Sequence, residues 1–285
     1  MHNSKHLLHP NEKERMLILY KSHLFGLFTA LCLVIAGVVL NPFSVQAEEF
    51  HWGFKKTTDE VPPDAGASFN QMLEKYGALY KGNPDDKVIY LTFDNGYEAG
   101  HTVSILDTLK KENIQATFFL TGHYLTSATP LVKRMVEDGH TIGNHSYDHP
   151  NMAALTPDEM KNEWHRFDEK LKELTDVERT HYARPPKGIF NEKLLEVGNE
   201  LGYRHIFWSL AFVDWHEDKP RGKQYAYNEL MTQIHPGAVI LMHTVSPDNA
   251  EALPDFIRDA RKKGYTFKSL DELVQEADGL FPIFQ

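Results

Sequence analysis

Two motifs carry the side chains best suited to catalysis. Asp94 and Asn95 follow the apolar run over residues 88–93 and precede a turn glycine, while His145 and His149 stand four residues apart in the segment NHSYDHP. Neutral imidazole is a preferred ligand of zinc and related divalent ions, and a tight loop can direct two histidines at this spacing toward one ion. A carboxylate beside such a metal can take a proton from an attacking water. This set predicts metal-assisted hydrolysis, the alternative for Asp94 being a turn-capping role.

Asn95 stands where a third metal ligand is expected. An amide oxygen can coordinate a divalent ion, but it is neutral, so we expect weaker metal binding than a carboxylate would give. Asp148, which lies between the two histidines, is expected to fix the loop or one imidazole instead of binding the metal directly.

Three later motifs add groups that could support the same chemistry. Arg184 precedes two prolines that stiffen its loop, and a guanidinium near Asp94 would keep that carboxylate ionised. His243 ends the apolar run VILMH and suits a general acid, with Asp214 able to orient it or raise its pKa. Trp215 can form a wall for a sugar ring. The alternatives are a surface salt bridge for Arg184, core packing for Trp215 and a structural role for His243.

Each of these motifs follows a short β-rich segment, and helical patterns lie between most of the segments. The β-rich segments are residues 88–93, 116–120, 141–144, 182–183, 204–209, 239–242 and 265–268. Such alternation predicts an α/β fold with a parallel sheet, and about seven repeats suggest a distorted (β/α)7–8 barrel. The carboxyl ends of the strands share one rim in such a barrel, so the motifs are expected to converge there.

Composition limits the classes of partner. The chain has 285 residues, of which 41% are apolar and 25% charged, as expected for one globular domain with a substantial core. Its formal charge is −10, and residues 1–47 carry four bases and two acids, which leaves −12 on the remainder. A nucleic-acid partner is not expected, because phosphate binding needs a basic surface.

The N-terminal residues have the pattern of an export signal. Lys21 precedes an uncharged apolar run over residues 24–40, followed by Asn41-Pro42 and by small residues up to Ala47. This predicts a signal peptide over residues 1–47, with Met16 as a possible start, the alternative being a retained membrane anchor. Cys32, the single cysteine, lies inside it, so the exported protein would have no disulfide. The remaining predicted segments are a lead-in over 48–86, the barrel over 87–275 and a tail over 276–285.

Taken in order, the five motifs resemble those of the polysaccharide deacetylases, the NodB-homology hydrolases of carbohydrate esterase family 4. TFDNG is similar to the family's TFDDG, HSYDH to H-S/T-x-x-H, RPPKG to R-x-P-x-G, DW to the fourth motif and LMH to L-x-H. The resemblance extends from Val88 to about Leu273, which is nearly the whole predicted barrel.

The resemblance implies a role for each motif residue in a metal-assisted hydrolysis. It implies a divalent metal, zinc being our expectation, held by His145 and His149 with Asn95 in the third position. It further implies Asp94 as base, His243 as acid, Arg184 and Asp214 as their supports, and the backbone N–H of Tyr147 as an oxyanion donor. Leu241 and Trp215 would line the pocket for the acetyl methyl group, and Pro186 belongs to the same substrate-binding set.

Asn95 departs from the family pattern, since most members have an aspartate there. TFDNGYE is similar to the subgroup that deacetylates muramic acid in peptidoglycan, a step toward the muramic δ-lactam of the bacterial spore cortex. The alternatives are an N-acetylglucosamine deacetylase of peptidoglycan or chitin-like glycan, and a non-catalytic glycan-binding protein on the same barrel. The expected partners are peptidoglycan glycan strands, with membrane contact only through the signal segment. We expect an exported, extracytoplasmic monomer at the cell wall or spore cortex.

Overall fold

The computed structural model describes Met16, Tyr20 and residues 48–216 and 218–280. The described residues from 48 onward belong to one compact unit. The predicted signal segment, including Cys32 and the expected cleavage after Ala47, lies outside the described residues apart from two isolated positions. Within the described part of the chain, no helix has the length and apolar character needed to cross a membrane.

A parallel sheet of seven strands forms the centre of the fold. Its strands are β2 (Val88–Asn95), β3 (Thr117–Leu120), β4 (Thr141–Asn144), β5 (Tyr182–Ala183), β7 (Arg204–His205), β8 (Ala238–His243) and β9 (Thr266–Phe267). Their order across the sheet is β7-β5-β4-β3-β2-β8, and β9 also pairs with β2. A single bridge from Leu210 to Ile240 brings the chain after β7 beside β8. The sheet curls into a half-barrel, which confirms the predicted α/β barrel class.

Helices pack around the sheet. They are α1 (Ala67–Lys75), α2 (Thr102–Lys111), α3 (Gly122–Ser127), α4 (Thr129–Glu137), α5 (Pro157–Leu174), α6 (Glu192–Glu200), α7 (Lys223–Gln233), α8 (Pro247–Lys262) and α9 (Leu270–Leu280). Thr156 and Glu159 form a capping box at the start of α5, which satisfies amide groups that the first turn leaves unpaired. Helix α9 runs without interruption across the predicted boundary at residue 275.

Strand β2 is buried along its whole length, because it has packing partners on both faces. Ile89, Leu91 and Phe93 contact the core beneath the helices, whereas Val88 and Tyr90 contact the interior of the half-barrel. Alternate strand residues point to opposite faces, so a strand covered on both sides is apolar throughout. Burying each large apolar side chain contributes about 1.5–3 kcal/mol. The strand therefore provides a rigid base for the polar residues at its carboxyl end.

The lead-in packs against the half-barrel. Strand β1 (Phe50–His51) pairs antiparallel with β6 (Ile189–Phe190). The indole N–H of Trp52 donates to the carbonyl of Trp208 at 3.0 Å, and Trp52 is buried among other aromatic rings. These contacts fix the start of the described chain beside the loop that follows β5.

Candidate active site

The carboxylate of Asp94 and the guanidinium of Arg184 form a buried ion pair. Asp94 ends the inner face of β2, and Nη1 of Arg184 donates to its Oδ1 at 2.6 Å. The Arg184 side chain is fully buried; its Nε donates to the carbonyl of Ile206 at 2.9 Å, and its guanidinium lies 4.0 Å from the centre of the Phe119 ring. The prolines after Arg184 and these contacts hold its side chain in one position. Because the pair is buried, the alternative of a surface salt bridge is wrong.

The charges around Asp94 favour its ionised form. Burial alone would raise the pKa of the carboxyl, but Arg184, His145 and His243 outweigh burial and hold that pKa below its usual range. Burial lowers the pKa of the Arg184 guanidinium, and Asp94 opposes that shift. The pair therefore presents a carboxylate whose second oxygen, Oδ2, lies 3.6 Å from Nε2 of His145.

His145 and His149 face each other across a tight loop after β4. Their ring centres are 4.9 Å apart, and the loop achieves this with left-handed backbone at Ser146 (φ 65°) and His149 (φ 56°). Nδ1 of His145 lies 2.8 Å from the carbonyl oxygen of Arg184, so the hydrogen belongs on Nδ1 and the lone pair on Nε2. Burial lowers the pKa of both imidazoles, that of His149 to about 4. Both rings are therefore neutral, as metal ligands must be.

Glu163, which the sequence analysis missed, holds this loop in place. Its buried carboxylate accepts the backbone N–H groups of Tyr147 at 3.0 Å and Asp148 at 2.8 Å. The predicted oxyanion role of the Tyr147 N–H is therefore wrong, because that donor is already committed to Glu163. Asp148 forms an ion pair with Arg166, so it fixes the loop and not an imidazole. No motif in the sequence marks Glu163, because it lies within a helix sixteen residues after Tyr147.

His243 and Asp214 form the second charged pair of the site. Oδ1 of Asp214 lies 2.8 Å from Nδ1 of His243, and Oδ2 accepts the backbone N–H of the same histidine at 2.8 Å. Asn249, also missed from the sequence, donates to Oδ2 at 2.6 Å. Burial disfavours the imidazolium, but the Asp214 carboxylate and then Asp94 outweigh it and raise the pKa of His243. The His243 side chain keeps 24% of its surface exposed, so a proton can be exchanged through the ring nitrogen that Asp214 leaves free.

Asp94 and His243 are direct partners in the register of the parallel pair β2–β8. Neighbouring strands lie about 4.8 Å apart, so the two side chains share one face of the rim. One is a carboxylate and the other an imidazole with a raised pKa, which is the combination that general base and general acid roles require.

The predicted substrate-binding residues lie around this pair. Trp215 is 47% exposed and its ring centre is 5.7 Å from that of His243, so the alternative of core packing is wrong. Leu241 is buried on β8 two residues before His243 and therefore shares its face. Pro186 is buried in the 3₁₀ turn that follows Arg184.

Lys187 is a further residue that the sequence analysis did not single out. It has left-handed backbone (φ 58°) between Pro186 and Gly188, and its positive charge contributes to the lowered pKa of His149. Its backbone N–H and its ammonium have no hydrogen-bond or ion-pair partner among the residues that the structure describes. Both donors are therefore available at the rim.

The residues present fit a divalent metal. In the described part of the chain, no three His, Cys, Asp or Glu side chains form a metal-binding group, so two imidazoles need a ligand of another type. Oδ1 of Asn95 is buried and has no hydrogen-bond partner among the described residues, while its Nδ2 donates to Thr244 at 2.6 Å. Leaving a buried oxygen unpaired costs about 1–3 kcal/mol, which a cation could offset. His145, His149 and Asn95 thus supply two nitrogen donors and one oxygen donor.

Comparison with known proteins places this site in a sequence family. The family described as polysaccharide deacetylase matches residues 81–206, which include the motifs from Asp94 to Arg184. The chain is 47% identical over 250 residues to the peptidoglycan-N-acetylmuramic acid deacetylase PdaA of Bacillus subtilis strain 168, covering 88% of this chain and 95% of that protein. It is 34% identical over 207 residues to a peptidoglycan-N-acetylglucosamine deacetylase of Bacillus cereus, covering 71% of this chain and 74% of that protein.

A solved structure extends the similarity to the fold. The structure of Bacillus subtilis PdaA, a family 4 carbohydrate esterase, superimposes with a TM-score of 0.79 at 49% sequence identity. The match covers 80% of this chain and 98% of that one.

Proposed function

Because the chain belongs to the polysaccharide deacetylase family of carbohydrate esterase family 4, and is a hydrolase, we propose that it removes the N-acetyl group of N-acetylmuramic acid in peptidoglycan. The observation that supports the reaction is the register of β2 and β8, which sets Asp94 beside His243 with a separate partner for each. A decayed glycan-binding site would be expected to have lost part of this set.

The family generally uses a divalent metal, and we propose zinc, held by His145, His149 and Oδ1 of Asn95. When bound, zinc acts as a Lewis acid toward the acetyl carbonyl and makes an attacking water more acidic. The carbonyl of Arg184 keeps Nε2 of His145 free for this ligand role.

The protein's own groups carry the protons. Asp94, kept ionised by Arg184, accepts a proton from water as the water oxygen bonds to the acetyl carbon. His243, protonated and oriented by Asp214, donates a proton to the sugar nitrogen as the carbon–nitrogen bond breaks. Acetic acid and a free amine leave, the acid gives its remaining proton to water or to the amine to become acetate, and the proton that Asp94 gained balances the one that His243 lost. Each transfer of this kind contributes about 10²–10⁴-fold to the rate.

The backbone N–H of Lys187 is the proposed oxyanion donor in place of that of Tyr147. It follows two prolines, which have no N–H, and the left-handed backbone at Lys187 leaves its own N–H without a partner among the described residues. Preorganised backbone donors of this kind stabilise the charge that develops on the carbonyl oxygen.

The side chain of Lys187 supports muramic acid as the substrate. Muramic acid differs from glucosamine by a lactyl ether that ends in a carboxyl group, and the ammonium of Lys187, which has no ion-pair partner among the described residues, suits that charge. The lactyl group is a carboxylate only where the peptide stem has been removed, so peptide-free strands are the preferred substrate. The PdaA relative at 47% identity is named for the same sugar.

Two consequences follow for the product and the place of action. The new amine lies on the same sugar as the lactyl carboxylate, so loss of water between them closes the muramic δ-lactam found in spore cortex. Peptidoglycan lies outside the cytoplasmic membrane, so the enzyme acts there, exported by its N-terminal segment, as a monomer.

Glucosamine deacetylation is the second candidate, supported by the 34% identical Bacillus cereus relative. Mass spectrometry of defined peptidoglycan strands, with and without peptide stems, separates the candidates after incubation with the protein and either zinc or a chelator. We expect zinc-dependent acetyl loss from muramic acid on peptide-free strands. Acetyl loss only from glucosamine would support the second candidate, and binding without any acetyl loss would identify a glycan-binding protein.

Lys187→Met tests the role of the ammonium. Replacing a charged hydrogen-bond donor removes about 1.5–3 kcal/mol, so we expect the preference for muramic over glucosamine strands to fall about 10-fold or more. Lys193→Met, which removes an exposed lysine on α6, is the control. An unchanged preference in the Lys187 variant would exclude the lysine as the determinant of the substrate.

A further inference from the structure

A buried hydrogen-bonded network lies beside Asn95. Nδ2 of Asn95 is 2.6 Å from Oγ1 of Thr244, which is 2.9 Å from Oγ1 of Thr102. Thr102 also contacts Oε2 of Glu98, and the hydroxyl of Tyr124 reaches the same oxygen at 2.8 Å. Asn95, Thr102, Thr244 and Tyr124 are all fully buried, so water cannot supply alternative partners.

Counting hydrogens gives this network one direction. Each hydroxyl has one hydrogen to donate, and the carboxylate of Glu98 can only accept. The hydroxyl of Tyr124 also lies 3.1 Å from Oγ1 of Thr102, so three hydroxyl hydrogens face four contacts among the hydroxyls and Glu98. None remains for the contact between Thr244 and Asn95, which the amide nitrogen of Asn95 must supply, with Thr244 donating to Thr102 and Thr102 to Glu98. If the amide of Asn95 were flipped, Thr244 would have to donate to its oxygen, and a second of the four contacts would have no hydrogen.

We propose that Glu98 is a positioning residue for the metal site. The inference rests on the proposed metal-binding role of Asn95. By accepting at one end of the network, Glu98 fixes the amide of Asn95 with Nδ2 toward Thr244 and leaves Oδ1 as the oxygen available to a metal. Glu98 itself is held by the backbone N–H of Gly100, which donates to Oε1 at 2.6 Å.

The same network explains why a neutral residue stands at position 95. An aspartate there can only accept, so Thr244 would have to donate to it and the direction of the network would reverse. The contact between Thr102 and either Thr244 or Glu98 would then lack a hydrogen, and two carboxylates would end one buried network. Glu98 thus accepts a hydrogen bond at one end of the network, and Asn95 donates one at the other end.

Glu98→Gln should reverse the network. Its amide oxygen can keep the bond to Gly100, while its amide nitrogen donates to Thr102, which then donates to Thr244. Thr244 donates to position 95, which disfavours the present orientation of Asn95 and suits an aspartate. The reversed network is therefore matched to the double variant Asn95→Asp with Glu98→Gln.

Zinc titration of the chelator-treated protein, without substrate, tests the inference. We expect Glu98→Gln to weaken zinc binding about 10–100-fold, the range typical of residues that orient metal ligands. Asn95→Asp alone should lower the melting temperature of the metal-free protein by about 2–4 °C or more, since a buried hydrogen bond is lost. The double variant should regain the melting temperature and bind zinc at least as tightly as the natural protein. Glu159→Gln is the control. It changes a carboxylate that is hydrogen-bonded to Thr156 at the start of α5, and it should change neither the zinc affinity nor the melting temperature.

The outcomes are separable. Unchanged zinc affinity in Glu98→Gln, or additive effects in the double variant, would overturn the positioning role. If Glu98→Gln does not fold, Thr244→Val interrupts the same network, and unchanged zinc affinity in that variant would overturn the proposal equally. A failure to deacetylate muramic acid, with the zinc and melting results as expected, would instead count against the proposed substrate.

Discussion

The two aspartates of the site are alike in type and in burial, each about 6% exposed, yet their partners differ. Asp94 is paired with Arg184, whose charge is permanent, and its pKa falls below the usual range. Asp214 is paired with His243, which can lose its proton, and it is the pKa of the histidine that rises. The partner, and not the carboxylate, thus decides which member of each pair exchanges a proton.

The comparison also separates the two pairs by what they stabilise. If Arg184 left its buried position, the carboxylate of Asp94 would stay buried without a counter-charge, so this pair stabilises the fold in addition to its proposed part in the reaction. The Asp214 pair has Asn249 and the backbone of His243 as additional partners, so its geometry survives a change in the charge of the imidazole.

Asp94→Asn, which changes the carboxylate of the first pair, is expected to have the largest effect. The amide keeps an oxygen for Arg184 but cannot accept a proton, so we expect kcat/KM to fall about 10³-fold or more while the fold persists. Acetate release and thermal melting measure the two effects. Asp107→Asn, at an exposed carboxylate that also pairs with an arginine, is the control. Turnover that survives in Asp94→Asn would remove Asp94 as the base.

Arg184→Met tests the structural half of the same pair. Removing one partner of a buried ion pair leaves the other charge uncompensated, and we expect the free energy of unfolding to fall by about 3–5 kcal/mol. Urea denaturation measures this loss. Lys193→Met, which removes one partner of an exposed pair with Glu196, should leave stability nearly unchanged, because water screens such a pair. Equal losses in the two variants would contradict the role assigned to burial.

His243→Ala tests the other pair. The proposed acid is lost but the proposed glycan-binding surface around Trp215 remains, so we expect kcat to fall about 10²-fold with little change in glycan affinity. Steady-state kinetics and a direct binding measurement on the same strands separate the two quantities. His165→Ala, at an exposed histidine on α5, is the control. Equal losses in turnover and affinity would argue against a general acid.

Asp214→Asn gives the smallest expected change, and it tests whether the carboxylate of Asp214 raises the pKa of His243. Without the carboxylate the pKa of His243 falls, so the basic limb of the kcat/KM profile should move to lower pH. The stability effect has the matching sign: a histidine whose pKa is raised on folding stabilises the protein below pH 6.5, and this contribution is lost as pH rises through the folded pKa. Glu169→Gln, beside the exposed His165, should leave the profile unchanged. An unshifted limb in Asp214→Asn would exclude His243 as the titrating acid.

The sequence by itself determined the strands and what stands at their ends. The apolar run before Asp94 and the alternation of β-rich and helical segments specify parallel strands, because periodicity is a property of neighbouring residues. Since such strands end at one rim, the convergence of Asp94, His145, Arg184 and His243 could be predicted without coordinates. The family resemblance added their roles, which stay predictions.

Only the tertiary structure decided which polar atoms were already in use. Glu163 takes the N–H of Tyr147 that the sequence had assigned to an oxyanion, and the N–H of Lys187 has no partner in the described part of the chain. Thr244, 149 residues from Asn95 along the chain, accepts from the amide nitrogen, and the amide oxygen has no partner among the same residues. Hydrogen-bond partners of buried groups are set by which elements pack together, and each donor can be used only once. Residue types at strand ends therefore indicate the chemistry, but packing decides which atoms remain to perform it.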